Sequence, residues 1–274
     1  MGLIFKEKGH AYSSTDPNEQ IDWTSVTTLV GKFKEPFDTD AVAAKCVKNK
    51  RSKWYGLLAE DVKAIWKKEN LRATDLGSFY HNQRETDLMS FDTITRDGVE
   101  LPIIPPIIQG DVKIAPSQKL IPGVYPEHFA YLKSAKLCGQ ADYVEVVNGK
   151  INIMDYKTNK EIKSKGFTNW EGKVKCLLGP MAHVEDCNLQ HYTLQMSIYM
   201  YIMLKHNPKL KAGTLTLQHV VFEKIEDDKY GYPVTAYSEL GDPIVKEIVI
   251  YEVPYMKQEV LDMINWLKDQ DNDS

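Results

Sequence analysis

The sequence predicts one α/β domain, and three observations carry that reading. Helical and strand periodicities alternate along the chain, with a core order of helix, three strands, helix and strand. The Asn148-Gly149 pair joins two runs rich in Val, Ile and Tyr, the strongest short-range signal for a β-hairpin. A chain of 274 residues with 43% hydrophobic content can bury a large core, and no repeat or low-complexity tract divides it.

The elements follow in order. Short strands are expected at 3–5 and around 10–12, and Ser25 is placed to cap a helix over about 26–33. Pro36 interrupts the pattern, and 38–49 and 56–70 read as helices. A longer amphipathic helix is expected to start at Thr74 or Asp75, either serving as its cap, and to reach about Phe91. Residues 97–126 hold six of the 13 prolines and predict an irregular loop or edge ribbon. Strands at 127–133, 141–147 and 150–157 come next, then an irregular or partly helical stretch over 160–188. A strong helix from Asn188 or Leu189 to about His206 leads to a strand at 214–223. A turn-rich hairpin region with a strand at 244–251 and a helix over 256–269 complete the pattern, and the acidic end is expected to be disordered.

Composition narrows the function classes. The longest apolar stretch, 196–204, is too short to span a bilayer, and the start of the chain carries neither a secretory nor a myristoylation pattern. An intracellular, cytoplasmic protein with no membrane partner is expected. Cys46, Cys138, Cys176 and Cys187 are irregularly spaced with no C-x-x-C pair, which predicts reduced, structural thiols. The net charge of −4 offers no global attraction to a polyanion. Local patches do: eight Lys or Arg against two acids lie between Lys45 and Lys68, including Lys48, Arg51 and Lys53, with Trp54, Tyr55 and Trp66 interleaved. A second basic stretch, Lys157, Lys160, Lys163, Lys165, Lys173 and Lys175, follows the third core strand.

The hairpin carries the chemistry. A two-residue turn at Asn148-Gly149 sets position 142 opposite 155, so Asp142 and Asp155 become cross-strand neighbours with Cβ atoms roughly 4.5–5.5 Å apart. Alternation puts Asp155 and Lys157 on one face and Tyr156 on the other. Two carboxylates at that distance require a proton or a shared cation, and oxygen ligands without thiolates favour Mg²⁺ or Mn²⁺. An ordinary hairpin with a surface salt bridge fits the same pattern, since D-x-K alone is a weak motif. On the helices, Gly77, His81 and Glu85 share one face, as do Gln195 and Tyr199.

Taken in order, G-x-x-x-H at Gly77 and His81, G-x-x-D at Gly139 and Asp142, D-x-K at Asp155 and Lys157, and Q-x-x-x-Y at Gln195 and Tyr199 resemble the PD-(D/E)XK nuclease superfamily. The pattern is most similar to the RecB-like exonuclease branch, and Y-P-E-H-F at Tyr125 to Phe129 resembles its phage-encoded, free-standing members. The likeness covers about residues 74–200. It implies an αβββαβ core, a mixed central sheet flanked by helices, within a single nuclease domain over 1–274. Residues 1–73 would form N-terminal strands and a basic helical elaboration, 74–224 the catalytic core, and 225–274 a C-terminal hairpin and helix. The cluster cysteines of Cas4-type relatives are missing, so no iron–sulfur cofactor is expected.

The resemblance also implies roles. Asp142, Asp155 and the backbone carbonyl of Tyr156 would hold the Mg²⁺ or Mn²⁺, with His81 as a further ligand and Glu85 and Glu127 as additional candidates. Lys157 would orient or help deprotonate the attacking water and screen the phosphate. Gln195 and Tyr199 would contact DNA or support the site. Lys160 and the patch with Lys48, Arg51 and Lys53 could track the DNA backbone. Trp170, in a long connection that could form a lid, could stack on an unpaired base or anchor its loop. The expected activity is a metal-dependent deoxyribonuclease of exonuclease type acting on ends or single strands in phage-type DNA replication, recombination or degradation. A structure-specific or restriction-like endonuclease and a catalytically silent DNA-binding or inhibitor protein are the alternatives.

Overall fold

The computed structural model describes residues 3–6, 11–16, 18–110, 112–115 and 117–272, the last two as backbone alone. Strands β1 (Leu3–Lys6) and β2 (Ala11–Ser14) open the chain. The expected strand residue His10 lies outside the described residues. A two-residue strand β3 (Thr24–Ser25) runs into α1 (Val26–Gly31), where the Ser25 side chain accepts from the Thr28 N–H and caps the helix. Asp38 does the same for α2 (Thr39–Lys48) by accepting from the Ala41 N–H.

The two helices expected over 56–91 are one, α3 (Ala59–Met89). Thr74 does not cap; its hydroxyl donates to the Asn70 carbonyl at 2.9 Å, one turn back, and Arg72 closes on Glu69 at 2.6 Å. Without proline in the segment, those local bonds carry the helix through. The expected boundary at residue 74 therefore falls inside a continuous rod.

Of the loop and the edge ribbon expected for the proline-rich segment, the ribbon form is found, as two hairpins. Strands β4 (Thr93–Arg96) and β5 (Val99–Pro102) meet at Asp97 and Gly98, both at positive φ, an Asp-Gly turn the sequence displayed. Strands β6 (Ile107–Gln109) and β7 (Val112–Ile114) join the start of the chain in a small sheet of order β2-β1-β7-β6.

Two central strands are longer than expected, β8 (Gly123–Leu132) and β9 (Leu137–Val147), and β10 (Lys150–Lys157) has the expected bounds. Strand β8 pairs only with β9 in the sheet, an edge position that tolerates Pro126. Then come α4 (Asn188–His206), β11 (Lys211–Phe222), a hairpin of β12 (Lys224–Asp227) and β13 (Pro233–Thr235), and β14 (Val245–Val253). Helix α5 (Lys257–Asn272) continues past the expected end at 269 into the acidic segment.

The architecture is an α/β sheet of order β14-β11-β10-β9-β3, with β8 on β9. It is mixed: β10 and β11 are parallel, joined through α4, whereas β9–β10 and β11–β14 are antiparallel. The main core lies on one face, where Leu194, Ile198 and Ile202 of α4, Leu29 of α1 and Met263 of α5 meet Ile151, Ile153 and Leu217. On the other face Tyr80 of α3 packs on Tyr156 and Val220. No helix among the described residues is long and apolar enough to cross a membrane.

Between Lys45 and Lys68 Trp54 and Trp66 hold α2 to α3, whereas Tyr55 faces solvent. Trp54 is buried with Ala43 and Val62, edge-on to Trp66 at 6.0 Å. Trp54→Ala is expected to cost about 3–5 kcal/mol in urea denaturation; a loss below about 1 kcal/mol would show that this cluster does not hold the helices together.

Candidate metal centre and active site

The site forms where β9 changes neighbours. Strand β8 occupies one edge of β9 from end to end. On the other edge β10 pairs with 143–147 and β3 with Leu137 and Cys138, leaving Gly139 to Asp142 between them. The Asn148-Gly149 turn has both residues at positive φ, so the register is the expected one, and its last backbone pair is Met154 with Tyr143. One step further Asp142 replaces a backbone partner: its Oδ2 accepts from the Tyr156 N–H at 2.7 Å.

Alternation breaks at this point in two strands. Ala141 and Val144 both belong to the main core, as do Tyr125 and Ala130, although each pair is separated by an odd number of residues. The interruption falls at Asp142 in β9 and at Glu127 in β8, and Glu127 sits at φ 49°, a conformation that costs a non-glycine residue about 1–2 kcal/mol. The result is a group of His81, Glu127 and Asp142 with one ligand atom from each, all within 4.8 Å of one another. These three residues could hold a metal ion.

Helix α3 supplies the imidazole. Gly77 lets the helix approach the end of β10, since a Cβ there would stand 3.3 Å from the Thr158 hydroxyl. One turn later His81 places Nδ1 at 3.4 Å from Asp142 Oδ1 and Nε2 at 3.1 Å from the Tyr156 carbonyl, the same carbonyl expected among the metal ligands. Burial disfavours a charged imidazole, but the hydrogen bond to Asp142 and its charge prevail and push His81 up to about 9. Without a metal, the ring's proton balances the carboxylate.

Asp155 and Lys157 lie beside this group without belonging to it. Both follow the Ile151 and Ile153 face, while Tyr156 lies on the α3 face, as expected. Asp155 is buried, and apart from the Lys157 ammonium in contact with Oδ2 its oxygens have no partner among the described residues. Burial, eased by Lys157 and reinforced by the charge of Asp142, raises its pKa to about 6. Burial alone would lower that of Lys157, but the charges of Asp155 and Asp142 drive it upward; Nζ also sits 4.9 Å from the centre of the Tyr192 ring. A buried acid with unused lone pairs, beside three potential ligands, is the donor set that a bound cation would satisfy. A cleft of about 270 Å³ opens alongside, bordered by Thr74, His81, Lys157 and Asn159.

The other expected residues are distributed unevenly. Glu127, which its sequence position favours as a solvated strand-edge acid, instead groups with His81 and Asp142; burial and the charges of Asp142 and Glu85 raise its carboxyl to about 8. Glu85 does not join the ligand group: both its oxygens receive the Lys113 ammonium, at 2.9 and 3.1 Å. Lys113 escaped the sequence reading because it comes from β7, within the segment read as a loop or edge ribbon. Tyr199 is 2% exposed and lies in the main core. Gly139 makes room for it, since a Cβ there would fall 2.8 Å from the Tyr199 ring, and Gln195 bonds its hydroxyl.

Of the expected DNA contacts, Lys48 and Arg51 are exposed, whereas Lys53 donates to the Tyr230 carbonyl and lies 4.6 Å from the rings of both Trp54 and Tyr232. Lys160 is exposed and donates to the Gly231 carbonyl at 2.6 Å. Trp170 does not anchor its loop; it is 93% exposed at a tip whose base is tied down by Leu177, Met181 and Val184 in the core. His191 pairs with Asp186 and His183 with Glu259, both structural.

No family model matches this chain, and neither do any curated proteins or solved structures.

The strain at Glu127 gives a direct test. Glu127→Gly removes both an unfavourable φ and a buried carboxyl, so the metal-free variant is expected to be about 1 kcal/mol more stable while binding Mn²⁺ more weakly. A variant less stable than the parent, or one with undiminished Mn²⁺ affinity, would contradict the assignment.

Proposed function

We propose that this chain is a Mg²⁺- or Mn²⁺-dependent deoxyribonuclease on a PD-(D/E)XK core, an exonuclease acting on DNA ends or single strands. The observation that carries the reading is the buried, donor-poor carboxylate of Asp155 touching Lys157 beside the His81, Glu127 and Asp142 group. The order α3, β8, β9, β10, α4, β11 supports it, because it follows the αβββαβ pattern apart from the hairpins inserted before β8. Hard oxygen donors with one imidazole favour Mg²⁺ or Mn²⁺ over softer ions.

Phosphodiester hydrolysis needs a hydroxide at neutral pH and a counter-charge for the phosphate oxygens, and a bound divalent ion supplies both. Asp142 and Asp155 would hold that ion, with His81, Glu127 and the Tyr156 carbonyl as further donors. Lys157 keeps its ammonium against Asp155 and presents a positive charge where phosphate oxygens accumulate negative charge. Tyr199 and Gln195 act from behind β9, filling the space above Gly139 and so fixing the backbone that leads to Asp142. The exposed Trp170, next to Lys173 and Lys165 in sequence, offers a stacking surface for an unpaired base.

The test is cleavage of end-labelled oligonucleotides, single- and double-stranded, with metal added or omitted and with closed circular DNA as a control. Asp155→Ala and Lys157→Ala are each expected to lower the rate at least about a hundredfold while the protein stays folded, as removal of an electrostatic stabiliser does. Undiminished cleavage by either variant would remove the mechanism. Rapid cutting of closed circles would replace the exonuclease with an endonuclease, and metal-independent binding without cleavage would leave a silent DNA-binding protein.

A further inference from the structure

A second lysine stands beside the metal group, and the catalytic reading does not use it. Lys113 lies on β7, whose backbone pairs with Phe5 on one side and Ile108 on the other, so the residue is held from both edges. Phe5 packs on Phe129 of β8 with ring centres 5.5 Å apart, two positions past Glu127, which docks the small sheet next to the group. From there the Lys113 ammonium reaches both oxygens of Glu85, at 2.9 and 3.1 Å, with the two side chains only 14% and 11% exposed. A pair this buried gains little over an apolar pair of similar volume, because taking both charges out of water offsets their attraction.

The charges around it give the pair another use. Glu85 follows His81 by one turn on the same face of α3. Glu127, raised chiefly by burial, also responds to both partners, upward to Glu85 and downward to Lys113. The acids in and beside the group are therefore electrostatic neighbours in sequence, Asp155 to Asp142, Asp142 to Glu127 and Glu127 to Glu85. Each end of that row has its own ammonium, Lys157 on Asp155 and Lys113 on Glu85.

Charge balance then limits the number of ions. With the four carboxylates ionised and His81 neutral as a ligand, the two ammonium groups leave two negative charges uncompensated, those of Asp142 and Glu127. One divalent ion balances them in the free protein. A second would leave buried positive charge without an acid to answer it.

We propose, resting on the metal-dependent reading above, that Lys113 stands in for a second divalent ion, so that the centre binds one ion per chain because this lysine already holds Glu85. A fixed ammonium supplies the charge of such an ion but no coordination site.

Calorimetric titration of Mn²⁺ into the metal-free full chain counts the ions without reference to cleavage. The parent is expected to bind one Mn²⁺ per chain. Lys113→Met frees Glu85 and should double that count, with the two ions close enough, about 3.5–4 Å in two-metal sites, to couple in the electron paramagnetic resonance spectrum. Lys113→Met/Glu85→Met removes the acid as well and should return the count to one. If Lys113→Met fails to fold, Lys113→Gln keeps a donor for Glu85 and should show the same doubling; circular dichroism checks folding. A parent that binds two ions, a folded single variant that still binds one, or a double variant that binds two would overturn the proposal and leave the metal reading standing, with Lys113 only a tie between β7 and α3. A parent that binds no Mn²⁺ would remove the metal reading and the proposal together.

Discussion

The hydrogen bond from the Tyr156 peptide N–H to the Asp142 carboxylate is the constraint on which the site depends. At this point β9 has parted from β10 and not yet reached β3, so an amide that a regular ladder would satisfy with a carbonyl is satisfied by an acid. That exchange fixes a buried charge at the sheet's opening. Burial works to neutralise Asp142, but the hydrogen bond and charge of His81, the charge of Lys157 and the Tyr156 N–H outweigh it and hold its pKa below the usual carboxylate value. The rest of the centre answers that charge or adds to it. His81 brings a proton from α3, Lys157 an ammonium from the next position on the same face as Asp155, and Glu127 a second acid held in place by a strained backbone.

Such a cluster is costly for a folded chain. Two acids, Glu127 and Asp155, have pKa values displaced upward, largely by burial, and the latter lacks hydrogen-bond donors apart from the lysine in contact with it. A chain selected for stability alone would replace them with apolar residues at little loss. Their retention together, at a break in two strands and beside an open cleft, has the character of a site where stability has been exchanged for chemistry.

Much of this was legible in the sequence because its determinants are local. The Asn148-Gly149 turn fixed the register of β9 and β10, and therefore the relation of Asp142 to Asp155 and Lys157, before any tertiary contact was known. Helical spacing gave the shared faces of α3 and α4, and the order of the motifs in the resemblance made candidates of His81, Gln195 and Tyr199. Determinants that act across the fold stayed hidden. Glu127 gave no sign that its backbone would turn to positive φ, because that conformation falls where the ladder between β8 and β9 skips a pair. Lys113 takes Glu85 away from the ligand group across 28 positions, from a segment whose prolines disguised two hairpins. The Asp97-Gly98 turn was readable there and the proline count obscured it. The division of the long helix at Thr74 failed for a related reason: a residue type that caps helices also bonds back to its own turn, and the sequence does not say which.

The central claim is that Asp142 and Asp155 take up one divalent ion beside Lys157. Crystals grown or soaked in Mn²⁺ and measured at the manganese absorption edge locate that ion without reference to activity. The account predicts an anomalous peak within coordination distance of both carboxylates, with His81, Glu127 or the Tyr156 carbonyl completing the shell. No peak at saturating Mn²⁺, or one that leaves Asp155 paired only with Lys157, would contradict it.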